Sequence, residues 1–374
     1  MQQVNDFGVN IYFKSLKYLF LGVFLLTCVN TNSLAQRREK NDLLKVRNQL
    51  GAGINLSALE HNWKAPDSLL QYNWQPVVKE IIDHGFKTIR LPIAFDHFAG
   101  EKAEIPSELI KMVQDIYEYC NKEGVHLILV YHYGKLFEYN TDYQIDRISK
   151  MWEQWLRNFQ NKGYHNLLFE LYNEPTLDRW VWKYAIERIV ARLRQTDQQR
   201  IFIVGGTNYN GYVQTLELGN LNDSRTLYTF HFYEPYLFTH QGAEWTIDKS
   251  YLTGFPYPYK KNRMPALKGA IKGSVVYEDY YRYYREATKT YLTETIKKLV
   301  ADANHLNMPL ICTETGVILN VESKYRENYL RDITDVLSEF KIPTMLWDYN
   351  DRFSIRQQNG KILSPVKEWI KKSR

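Results

Sequence analysis

Two glutamates carry the chemistry that this sequence could perform. "FELYNEP", residues 169–175, ends a run of strand formers with Asn173 and Glu174 side by side before a proline, and "CTETG", residues 312–316, sets Glu314 in another apolar run. Arg90 interrupts "TIRLPI", His132 ends "HLILVYH", His231 and Tyr233 stand two apart in "TFHFY", and Trp347 lies in "MLWDYN". One carboxyl that holds a proton and one that stays ionised can combine general acid catalysis with nucleophilic attack. Arg90 and the Tyr233 hydroxyl are the donors that would keep Glu314 charged. Taken singly, each residue has a plainer explanation. Arg90 could form a structural ion pair with Glu170, on the same face of its strand as Glu174, and either histidine could be a satisfied core residue. Tyr233 and Trp347 could simply fill space. Taken together they are harder to dismiss, because burying two carboxylates, an arginine and two histidines is costly unless they pair or work.

The elements that must position these residues recur along the chain. "GAGINL", "KTIRLPI", "HLILVYHY", "NLLFELYNEP", "RIFIVGGTN", "TLYTFHFY", "PLICTETG" and "PTMLWDYN" read as strands bounded by turn residues. Between them lie helical patterns such as "QPVVKEIIDHG" and "SELIKMVQDIYEYCNKEG", apolar at spacings of three and four and closed by Gly. Strand then helix, eight times over, predicts an α/β fold of the (β/α)8 TIM-barrel kind. The polar residues fall near the carboxyl ends of six different strands, the end where such barrels keep their chemistry. Residues 134–150 read as a loop before the next helix. Residues 234–285 read as a long insertion after the sixth strand, rich in Tyr, Pro and Lys. Both belong to the rim of that face.

Composition narrows the class. With 44% hydrophobic and 24% charged residues among 374, the chain has material for a large core. Lys14 and Lys17 precede the apolar run "YLFLGVFLLTCV", and small residues follow at Ser33 and Ala35, so residues 1–35 read as a secretory signal peptide and 36–374 as one catalytic domain. An uncleaved anchor and lipidation at Cys28 are the alternatives. The run is short of the roughly 20 apolar residues that span a bilayer, so no stable membrane insertion is expected after cleavage. The expected product is an exported monomer. Cys120 and Cys312 lie too far apart for a disulfide framework or a CxxC metal site and read as buried thiols. The net charge is +6, and losing Asp6, Lys14 and Lys17 leaves +5. That mild, scattered charge excludes nucleic acid as a partner.

Two carboxylates across a barrel mouth point to glycoside hydrolysis with retention, which needs carboxyl groups roughly 5–5.5 Å apart. Asn173 would hydrogen-bond a sugar 2-hydroxyl and Trp347 would offer a flat platform for a pyranose ring. Here the sequence resembles glycoside hydrolase family 5, the cellulase-type barrels, from about Gly51 to Asn350. The family's ordered set of polar and aromatic residues falls on Arg90, His132, Asn173, Glu174, His231, Tyr233, Glu314 and Trp347, with none missing. The resemblance implies that Glu174 is the acid/base and Glu314 the nucleophile, with no metal and no cofactor. "HFYEPYLFTHQGAEW" is similar to the stretch after the sixth strand in some bacterial members, where His240 and Trp245 would wall a sugar subsite, unless they only pack the loop. "CTETG" and Ser57 in "GINLSALEH" depart from common family residues without removing a catalytic group, and they loosen any substrate assignment.

The leading expectation is an exported endo-β-1,4-glucanase acting on β-glucan, helped by 15% aromatic residues on which sugar rings can stack. β-Mannan, xyloglucan or short β-glucosides would suit the same chemistry. A non-catalytic carbohydrate-binding barrel and a metal-dependent hydrolase using His132 and His231 are the readings from other classes. Retention of both glutamates argues against the first, and the lack of a His-x-His or Cys cluster against the second.

Overall fold

The computed structural model describes residues 39–246, 252–267, 272–357 and 359–373. The leader read over 1–35, with Cys28, lies outside the described residues. The eight apolar runs form eight strands: β1 (Ala52–Asn55), β2 (Thr88–Ile93), β3 (His126–Tyr131), β4 (Leu167–Glu170), β5 (Phe202–Gly205), β6 (Thr226–His231), β7 (Leu310–Thr315) and β8 (Thr344–Leu346). Each pairs in parallel with the next, and β8 returns to β1, closing the barrel.

Alternation divides each strand between two cores. Ile128 and Val130 of β3 point inward and meet Leu168, Ile203, Leu227, Ile311 and Met345. Leu127 and Leu129 face the surrounding helices. The helix Ser107–Lys122 answers them, burying Leu109, Val113, Ile116, Tyr117 and Cys120 along one stripe. A helix over 39–49 stoppers the amino-terminal mouth by adding Leu43 and Val46 to the inner cluster, with Leu50 just beyond it. Arg47 fastens this plug by donating to the carbonyls of Leu310 at 2.7 Å and Lys341 at 3.0 Å. Above the apolar floor the inward positions become polar, with Asn55, Arg90, Glu170, Thr229 and Thr313 all buried. The barrel is therefore dry at one end and charged at the other.

Cys120 and Cys312 are free and buried, as their isolation in the sequence implied. The segment 134–150 differs from its expected loop. A 3₁₀ turn, Glu138–Asn140, leads directly into the helix Thr141–Asn158. Ile145, Ile148, Trp152 and Trp155 recur at helical spacing and are buried, and that burial outweighs the turn-forming Asn and Asp residues at the start. The described parts of the insertion after β6 contain Tyr236–Thr239, a turn at Lys261–Arg263 and the helix Val275–Glu286. Their rings, among them Phe255, Tyr257 and Tyr283, join the core on the β6 and β7 side. Among the described residues, no helix is long and apolar enough to cross a membrane.

Leu50 is fully buried at the end of the barrel away from the charged mouth. Leu50→Ala should lower unfolding free energy by about 2–5 kcal/mol in a urea titration while leaving turnover of the folded protein unchanged.

Candidate active site

The site is built outward from Arg90 on β2, which is completely buried. Its guanidinium grips Glu170 of β4 through two parallel contacts, Nε to Oε2 at 2.8 Å and Nη2 to Oε1 at 2.6 Å. Its remaining hydrogens reach Asn55 Oδ1 at 2.8 Å, Asn173 Oδ1 at 2.7 Å and Glu314 Oε1 at 2.7 Å. One planar fork therefore fixes residues from β1, β4 and β7. Because Asn173 Oδ1 is taken by Arg90, its amide nitrogen turns to His132 Nε2 at 3.0 Å. Asn55 donates to the carbonyls of Thr313 and Leu346.

Glu314 reaches the mouth through an irregularity in β7. Simple alternation would place it with Leu310 and Cys312, which face the outer core. The pairing slips between Phe230 and His231 against β6, and between Cys312 and Thr315 against β8. The slip re-aims the side chain inward, a known use of β-bulges. Gly316 follows, and a Cβ there would stand 2.1 Å from the Trp347 carbonyl, so only glycine lets β7 and β8 approach here. Glu314 is then held by Arg90 on one oxygen and by the Tyr233 hydroxyl, donating at 2.9 Å, on the other.

Glu174 stands just past β4, with a left-handed backbone (φ 51°) that is uncommon for a residue bearing a side chain. Its Oε1 lies 2.7 Å from His231 Nδ1, and its side chain stays 30% exposed to the cleft. His231 Nε2 faces the Asn210 amide nitrogen at 3.2 Å, so the ring proton belongs on Nδ1 and points at the carboxyls. Burial lowers His231 to about 4, keeping the ring neutral. Oxygens of Glu174 and Glu314 and the His231 nitrogen lie within 4.8 Å of one another.

The two carboxyls are not equivalent. Burial raises Glu174 to about 7, with Arg90 pulling against it and the negative Glu170 adding a smaller push. Burial also raises Glu314, and Glu174 adds to the rise, but Arg90 opposes it and both of its oxygens receive hydrogen bonds, one from Arg90 and one from Tyr233. The pair is therefore set apart, with Glu174 the proton holder. Such an arrangement can donate a proton and present a carboxylate to the same ligand atom's neighbourhood. Three ligand atoms this close could in principle hold a cation, but Arg90 already places its positive charge against Glu314.

The other expected residues fall around this core. Trp347 lies just past β8, half-buried, its ring 5.8 Å from that of His132. His240 is nearly buried, stacked on Tyr236 at 4.1 Å and edge-on to Tyr233 at 4.8 Å. Trp245 is 48% exposed beside Phe353, with Arg352 over its ring. Sequence reasoning missed Glu60, whose carboxyl burial pushes up to about 8 and which receives a hydrogen bond from Tyr133. Glu60 Oε2 and His132 Nδ1 are buried without hydrogen-bond partners, and 3.5 Å separates Glu60 Oε2 from the other His132 nitrogen. It also missed Asn55 and Asn210, the latter placed by consecutive left-handed residues Asn208, Tyr209 and Asn210. That run of Asn was the only available signal.

The family model for cellulase, glycosyl hydrolase family 5, matches residues 48–353, and the chain belongs to that family of O-glycosyl hydrolases. Endoglucanase 3 of Fibrobacter succinogenes is 26% identical over 317 residues, covering 76% of this chain but only 47% of that relative, so the chain spans about half of its length. Cellodextrinase A of Ruminococcus flavefaciens is 26% identical over 308 residues, covering 78% of this chain and 82% of the relative. Among solved structures, a hyperthermophilic endo-β-1,4-glucanase in complex with substrate superposes with a TM-score of 0.71 at 22% identity, covering 88% of this chain and 98% of that one. Endoglucanase Cel5A of Thermotoga maritima gives 0.72 at 18% identity, covering 88% and 99%. At these identities the structures establish the shared barrel.

Removing Arg90 should be costly, because Glu170 would remain buried without its partner. Arg90→Met is expected to lose about 3–5 kcal/mol of stability in urea unfolding, and Arg90→Met with Glu170→Met to regain most of it without regaining activity.

Proposed function

We propose that the protein is a retaining endo-β-1,4-glucanase in which Glu174 is the acid/base and Glu314 the nucleophile. The observation that carries this reading is the close, unequal carboxyl pair: oxygens within 4.8 Å, one group raised by burial to about 7 and the other clamped by Arg90 and Tyr233. Inverting enzymes need roughly 6.5–9.5 Å to admit a water between the groups, and retaining ones roughly 5–5.5 Å. In the first half of the reaction Glu174 gives its proton to the glycosidic oxygen as Glu314 Oε attacks the anomeric carbon. The carbon–oxygen bond to the leaving chain breaks and a glycosyl ester forms. In the second half Glu174, now a carboxylate, takes a proton from water as that water displaces Glu314. Two inversions return the original configuration.

The surrounding groups suit a sugar. Asn173 is locked by Arg90 with its amide nitrogen available to share a hydroxyl. Trp347 is the platform for a ring. The glucan substrate is inferred from relatives named endoglucanase. The relative named cellodextrinase favours one alternative, cleavage of short cello-oligosaccharides, which product lengths from barley β-glucan would separate. Export through residues 1–35 belongs to the same proposal, supported by the Lys14 and Lys17 flank, the apolar run and the small residues at its end.

Purified protein without the leader should release reducing sugar from carboxymethylcellulose and barley β-glucan, and Glu174→Gln should reduce this by about 10²–10⁴-fold. Retained activity in Glu314→Gln would overturn the assignment. Because the acid form of Glu174 is the working one and it titrates near 7, kcat/KM should fall as pH rises through about 7. In Glu174→Gln that alkaline limb should vanish from the residual rate on an aryl cellobioside with a good leaving group, whose departure needs no proton.

A further inference from the structure

Exposed aromatic rings are unevenly distributed over the surface. Phe137 (41% exposed), Tyr139 (85%), Tyr143 (63%), Trp180 (63%) and Tyr184 (41%) all lie on two neighbouring stretches, 137–143 after β3 and 180–184 after β4. None takes part in the chemistry above. So many large rings in water, on one side of a hydrolase's catalytic face, mark an interaction surface.

These rings are held rather than loose. Asn140 accepts from the Phe137 backbone N–H at 2.8 Å and donates to the Lys135 carbonyl at 2.9 Å, while the Thr141 hydroxyl donates to the Phe137 carbonyl. Phe137 and Tyr139 lie nearly parallel, 8° apart with centroids at 5.5 Å. Two bonds then tie the stretches together: the Asp178 N–H donates to Glu138 at 3.0 Å and the Tyr184 hydroxyl to Asp142 at 3.0 Å. Arg179 covers one face of Trp180 at 4.5 Å, and Arg188 one face of Tyr184 at 4.3 Å. A guanidinium behind each of these two rings fixes its orientation and leaves the opposite face for a ligand. A pre-set platform of this kind lowers the ordering cost of binding.

The surface is continuous with the catalytic mouth. His132 packs at a tilt against Tyr133, centroids 4.4 Å apart, Tyr133 is 43% exposed, and four residues further along the same loop comes Phe137. The Tyr172 hydroxyl accepts from the Leu136 N–H at 3.1 Å and braces that connection. The structure assigns to this aromatic patch the binding of a β-linked glucan chain outside the cleavage site, so that a polymer is anchored on the β3 and β4 side while another part of it occupies the mouth. Flat apolar rings beside the second carboxylate oxygens of Glu138 and Asp142 match the chemistry of such a chain, which has apolar ring faces and hydroxyl edges. This assignment rests on the glucanase reading for its ligand and goes beyond it in location.

Retardation in a native gel containing barley β-glucan reads the patch without requiring turnover. The Glu314→Gln protein serves as the starting point so that the polymer is not consumed. Phe137→Ala with Tyr139→Ala and Trp180→Ala should abolish most of the retardation, and in the active protein should raise KM on barley β-glucan at least 5-fold while leaving kcat/KM on cellotriose unchanged. Tyr139→Ala alone, at the most exposed ring, should give part of the effect without endangering the fold. Equal loss on cellotriose and polymer would place the rings inside the cleft and overturn the proposal, as would unaltered retardation in the triple variant. If the active protein cleaved no glucan yet its retardation still depended on these rings, the catalytic reading would fail and the patch would stand.

Discussion

The buried contact between Arg90 and its carboxylates is the constraint from which the rest of this site follows. A guanidinium removed from water loses several kcal/mol of hydration and must be repaid by partners in good geometry. Glu170 supplies two of those contacts and Glu314 a third, with two amide oxygens completing the fork. The division of labour has a consequence for the proposed reaction. When Glu314 becomes an ester it loses its charge, but Arg90 remains neutralised by Glu170. The site therefore does not strand an unpaired cation in the barrel midway through turnover. Glu170 touches no substrate in this scheme and acts through Arg90 alone.

In the proposed scheme the same clamp separates the two carboxyls. Glu314 sits deeper and receives Arg90 and Tyr233, whereas Glu174 stands at the lip with only the neutral His231 ring against it. Desolvation acts on both, and only Glu314 has a cation in direct contact. A proton on Glu174 is the expected result, and a difference in position thereby becomes a difference in chemical role. His231 must stay neutral for this to hold, and the Asn210 amide facing Nε2 fixes the tautomer that points its hydrogen inward.

Much of this was legible in the sequence, for identifiable reasons. Parallel strands buried on both faces appear as short apolar runs, so all eight could be found, and an Arg or Glu inside such a run is conspicuous. Arg90, Asn173, Tyr233 and Glu314 stand in one hydrogen-bonded network, Glu174 bonds to His231, whose Nδ1 lies 3.5 Å from Glu314, and the pairing of Arg90 with Glu170, considered as the plainer explanation, coexists with its place in the site. What escaped reading depended on geometry that side-chain types do not encode. Glu60 lies in "SALEH", which looks like an ordinary turn, and its significance comes from burial beside His132 and Tyr133. Alternation alone would have turned Glu314 outward, because a one-residue slip in β7 leaves no mark in composition. The stretch after β3 was misjudged because its Asn and Asp residues speak for a turn while the buried Trp152 and Trp155, further on, decide for a helix.

The central claim is that Glu314 forms a covalent bond to the sugar while Glu174 handles the proton. Incubation with a 2-deoxy-2-fluoro-cellobioside bearing a good leaving group should trap that ester, since the fluorine slows its hydrolysis more than the activated leaving group slows its formation. Mass spectrometry of the digested protein should then find one added disaccharide unit on the peptide carrying Glu314, and none when Glu314→Gln is treated in the same way. A label on Glu174 or Glu60, or an active enzyme that turns over β-glucan yet accumulates no adduct and releases product of inverted configuration, would contradict the account.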